Sequence, residues 1–66
     1  MARQDRQTKW RPVFRAAKDF TGFDEVKRGD IYYFLGAFSE ERARELLKEE
    51  LASGRALYGW LERADG

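Results

Sequence analysis

Ile31-Tyr32-Tyr33-Phe34-Leu35-Gly36-Ala37-Phe38 runs directly into Ser39-Glu40-Glu41-Arg42-Ala43-Arg44-Glu45-Leu46-Leu47. The first eight residues carry no charge and are rich in aromatic and branched side chains, which is strand composition. At Ser39 the period changes. The Ser39 hydroxyl can accept an orphan N–H of a first helical turn, and Glu40 and Glu41 suit the positive end of a helix dipole. Ala43, Leu46, Leu47 and Leu51 then recur at helical steps as one narrow apolar stripe. Gly54 follows Ser53 as a stop. The spacing predicts a strand over 31–38 and a helix over 40–53.

Working outward, Ala56 to Arg63 alternates Leu57, Gly59 and Leu61 with Tyr58 and Trp60, a further strand. Upstream, Trp10 to Lys18 alternates Trp10, Pro12, Phe14 and Ala16 with Arg11, Val13, Arg15 and Ala17. Pro12 lacks an N–H, which suits an edge strand or a strand start. Phe20 to Asp30 reads as a solvated connection with turns at Thr21-Gly22 and Arg28-Gly29-Asp30, its Phe20 and Phe23 tucked against the core. The fold class is therefore small α+β: a three-stranded, mainly antiparallel sheet with one amphipathic helix packed on one face, in the order β-β-α-β. A strand–helix–strand unit returns parallel by a right-handed crossover. The order 1-2-3, the favoured one, would place the doubly apolar strand 31–38 in the centre; the order 2-1-3 would make it an exposed edge.

One helix covers one face of such a sheet. Its Ala and Leu stripe suits the aliphatic set Ile31, Leu35, Leu57 and Leu61, with Tyr33 among them. Tyr32, Phe34, Phe38, Tyr58 and Trp60 then form an uncovered aromatic face. A one-residue shift of register would exchange the faces. The candidate partner-binding residues are Tyr32, Phe34, Tyr58 and Trp60, with Arg11 and Arg15 at the rim. Tyr, Trp and Arg are the types enriched at binding hot spots. The competing reading is a second small core that absorbs these rings together with Phe20 and Phe23.

Composition narrows the chemistry. The chain has ten aromatic residues, no histidine and no cysteine, so disulfides and tight zinc or iron–sulfur sites are out. Neither Ser39 nor Ser53 has a histidine to activate it. Glu49 and Glu50 diverge on a helix, and no glycine-rich phosphate loop appears. The expectation is no catalytic residue, no metal and no cofactor. No run approaches the roughly 20 apolar residues of a membrane helix, and residues 1–9 hold no apolar leader core. No membrane partner and a cytoplasmic location follow by elimination.

Net charge is +1, unevenly spread. Arg3, Arg6, Lys9, Arg11, Arg15 and Lys18 face only Asp5 in the first 18 residues, and the remainder is acidic. Residues 1–9 read as a flexible basic arm and 10–66 as a single domain. The expected function is a small non-enzymatic protein-binding module acting through the aromatic face. An inhibitor, adaptor or accessory subunit fits, whether phage- or mobile-element-encoded or a host protein. A second copy of the chain is another protein partner to consider. The alternative is single-stranded nucleic acid, with rings as a stacking platform and the basic arm on phosphates.

Two segments echo known families. Leu35-Gly36-Ala37-Phe38-Ser39-Glu40-Glu41, with Ala43 and Leu46-Leu47, resembles the strand-to-helix segment of SPOR domains, which bind bacterial peptidoglycan. The family's second strand–helix repeat is absent. Ala17-Lys18-Asp19-Phe20 followed by Asp24-Glu25 and Arg28-Gly29-Asp30 is similar to the start of an SH3 domain. That family's paired tryptophans and Pro-Asn-Tyr segment are missing, and a helix stands where short strands should be. Neither resemblance transfers a site residue.

Overall fold

The computed structural model describes residues 8–22 and 24–64. Along the chain run β1 (Trp10–Ala16), β2 (Phe20–Thr21), β3 (Glu25–Val26), β4 (Ile31–Tyr33), α1 (Glu40–Ser53) and β5 (Ala56–Arg63). β1, β4 and β5 form a three-stranded sheet and β2 pairs with β3. Both β4 and β5 run antiparallel to β1, so they are parallel to each other with β1 between them. This is the expected small α+β fold. The expected arm lies outside the described residues except for Thr8 and Lys9.

Of the two orders, the structure takes 2-1-3 over the favoured 1-2-3: the sheet is β4-β1-β5, and the Pro-containing strand is central. Trp10 exchanges both backbone bonds with Phe38, and the Ala16 N–H donates to Asp30 O at 2.8 Å. Even-numbered residues of β1 therefore face the β4 side. Pro12 offers only its carbonyl there, which accepts the Phe34 N–H at 3.3 Å. Its missing donor falls where the partner has left the ladder. Val13 pairs with Tyr33 and Trp10 with Phe38, so three steps along β1 span five on the other chain segment. The slack is a bulge over 34–37, and Gly36 supplies its positive φ of 121°. Expected as one strand over 31–38, this segment is a three-residue strand, the bulge, and a lone bridge at Phe38.

The helix matches its expected bounds. Ser39 Oγ accepts the Arg42 N–H at 3.1 Å, and Gly54 caps the C-terminus at φ 87° with its N–H donated to Leu51 O. Ala43 is fully buried, and Leu46 and Leu47 are half-buried. Phe14 is the centre of the core at 0% exposure. Gly59, its cross-strand partner, makes room for it. A Cβ there would lie 2.7 Å from both Phe14 Cδ1 and Leu47 Cδ1. The sheet and helix thus approach more closely over Gly59 than any other residue would allow.

The connection read as a solvated loop holds the β2–β3 hairpin, with Phe20 opposite Val26. Phe20 is half-buried and meets Tyr32 edge-on at 5.0 Å. Phe23 lies outside the described residues.

Candidate functional site: the uncovered sheet face

Register decides which side chains reach the face away from α1. Phe14 pairs with Tyr32 and stacks on it at 5.1 Å. Phe34 packs on the Phe14 ring at 5.1 Å. Tyr32 reaches up to the helix, where its hydroxyl donates to Glu50 Oε2 at 2.7 Å. Tyr32 and Phe34 therefore belong to the helix side, a correction to the expected face. Ile31 and Tyr33 take the uncovered side in their place. The reversal has a simple cause. Phe14 has no side chain opposite it on β5, so the rings of β4 supply its contacts.

Tyr58, Trp60, Arg11 and Arg15 stand on the uncovered face as expected. Val13 lies at its middle, paired with Tyr33 on one flank and Trp60 on the other. Those larger neighbours cover it to 4% exposure. Tyr33 and Tyr58 remain 49% and 46% exposed. The Arg11 guanidinium sits 5.0 Å above the Tyr33 ring. Arg15 Nε donates to Tyr58 Oη at 2.7 Å and its Nη1 to Gly29 O at 2.6 Å. Tyr58 and Trp60 lie 6.0 Å apart along β5, and Trp60 Nε1 donates to Glu62 Oε2 at 3.0 Å. The result is three rings flanking two arginines on a central strand, with each cation oriented by an adjacent ring or hydroxyl. Phe38, also expected here, bridges to Trp10 at the far end of the sheet.

Behind this face lies a polar cluster that the sequence reading missed. Glu50 is 3% exposed. Arg55 grips it with two bonds, Nε to Oε2 at 2.8 Å and Nη2 to Oε1 at 2.6 Å. Hydrogen bonding from Arg55 holds the Glu50 carboxyl below its ordinary range, against the opposing effect of burial. Burial, then the Glu50 contact, pushes the Tyr32 hydroxyl above its ordinary value. Both groups are moved away from neutrality, the wrong direction for a general acid or base at work near pH 7. The cluster instead ties α1 to β4 and lines a groove of about 900 Å³ beside the hairpin. A signal was available. Glu50 stands three residues after Leu47 and seven after Ala43, inside the apolar stripe.

Among the described residues no group of three or more acidic side chains is placed to hold a metal ion. None of their helices is long and apolar enough to cross a membrane. No family model matches the chain, and neither the curated proteins nor the solved structures contain a match to it.

Proposed function

We propose that this chain is a small non-enzymatic protein-binding module, an inhibitor, adaptor or accessory subunit working in the cytoplasm. Its contact surface is the uncovered sheet face, with Tyr33, Tyr58 and Trp60 as anchors and Arg11 and Arg15 between them. One observation carries the reading. The core is completed by Phe14, Tyr32, Phe34 and Leu47 on the helix side, yet two tyrosines stay about half exposed opposite it. Rings held by neighbouring arginines lose little side-chain freedom on binding, which favours affinity.

Affinity capture from cell lysate tests it, comparing wild type with Tyr33→Ala plus Tyr58→Ala and with Glu45→Ala plus Lys48→Ala on the outer face of α1. The expected result is a partner retained by wild type and the helix variant and lost by the face variant, with circular dichroism unchanged in all three. Identical capture by all three sinks the proposal.

The placement of Arg11 and Arg15 among rings favours one second reading, single-stranded nucleic acid stacked on the face. Salt separates the two. Phosphate neutralisation makes affinity fall steeply with ionic strength. Quenching of Trp60 by mixed oligonucleotides that disappears in moderate salt would establish this second reading.

A further inference from the structure

The sheet has two lateral edges of unequal kind. β4 is three residues long, whereas β5 is eight. The Ala17 N–H donates to Arg55 O and the Ala64 N–H to Lys9 O, so odd-numbered residues on β1 face β5. Arg11, Val13 and Arg15 pair there with Glu62, Trp60 and Tyr58. Gly59 and Leu61 therefore turn their N–H and C=O groups outward, and no other strand lies beside β5 among the described residues. Natural edges of this length are commonly blunted by charged side chains, proline, bulges or a covering element. β5 has no lysine or proline. Its charges, Glu62 and Arg63, lie at one end and its bulge at Leu57 near the other, which leaves Gly59 to Leu61 unguarded between them, and Leu57 itself is 65% exposed.

The geometry points to a second copy of this chain as the occupant of that edge, paired β5 to β5 in antiparallel fashion about a two-fold axis at Trp60. This register sets Gly59 of each copy against Leu61 of the other and forms four backbone bonds. It also brings Glu62 of each copy across from Tyr58 of the other. The Tyr58 hydroxyl accepts from Arg15 and keeps its own proton to donate to Glu62, so each Glu62 faces an Arg15 through a Tyr58, twice by symmetry. The two sheets become one of six strands, and the Tyr58–Trp60 rows join into a single line of four rings. An isologous contact of this kind closes on itself and stops at two copies. A 66-residue chain without disulfides gains stability from such a contact.

Sedimentation of the full chain over a wide concentration range tests this with no other partner present, so its outcome is independent of the proposed function. The expected mass rises from the monomer's 7.8 kDa toward twice that value. Leu61→Pro removes an outward N–H and no bond to β1, and should yield a folded monomer. Glu62→Lys and Arg15→Glu should each be monomeric alone, because like charges then meet. Mixed together they should pair, because both contacts become attractive. A single monomeric species at every concentration overturns the inference. So does a dimer whose mass is indifferent to Leu61→Pro and Glu62→Lys, and so does failure of the two folded charge variants to pair when mixed.

Discussion

Gly59 and Glu50 show how much rests on single residues. At Gly59 the absence of a side chain lets Phe14 and Leu47 meet. Gly59→Ala forces a Cβ to within 2.7 Å of both, and 2.8 Å from the Val13 carbonyl. The backbone neighbour cannot swing aside as a side-chain tip would. The expected cost is about 1–3 kcal/mol, read as a lower urea midpoint with an unchanged slope. Arg55→Ala leaves a buried carboxylate with Tyr32 as its remaining donor and should cost about 1–3 kcal/mol, the half-exposed Arg55 side being screened by solvent. The same contact predicts a pH dependence. Glu50 has a lower pKa folded than unfolded, so its contribution is present above the unfolded value of about 4.3. It is lost as pH falls through the folded value. Tyr32 is shifted upward, so its contribution is present below the unfolded value of about 10 and fades as pH climbs through the folded one. Glu50→Gln should flatten the acid limb of stability against pH. Gly59 reads as an ordinary strand position, whereas Glu50 shows itself only by its place in the apolar stripe, seven residues after Ala43.

At the scale of elements, legibility followed the redundancy of the local pattern. The helix has a cap, a stripe and a stop that agree, and its bounds were readable. Ser39→Ala removes the cap and should cost about 1 kcal/mol, measured by thermal denaturation followed at the helical circular-dichroism band. β5 was readable because turn residues bound it on one side and alternation fills it. β4 was not, since both of its alternations are apolar and binary pattern cannot orient a strand with two apolar faces. Its direction was set by Phe14, on another strand. Pro12 misled for a related reason. Proline is barred from a central strand only where the partner needs its N–H, and here the bulge over 34–37 removes that need. The β2–β3 hairpin has two residues per strand, too few to show any period.

For the whole molecule, fold class was legible and strand order was not. Composition dictates how many layers can be filled. Order depends on which edge the helix crosses to, and no local signal records that. The candidate face was half legible for the same reason. Tyr58, Trp60, Arg11 and Arg15 lie on strands whose alternation was clear, while Tyr32 and Phe34 lie on the one whose alternation was not. The sheet also has a mechanical character set by one detail. Lys9 and Ala64 are hydrogen-bonded neighbours, and β1 and β5 leave the sheet side by side at that end. Tension applied to the chain on both flanks would load the β1–β5 ladder one rung at a time, like a zipper, instead of shearing all rungs together. The domain would yield to a weak pull and close again from the Ala16–Ala56 end of the same ladder.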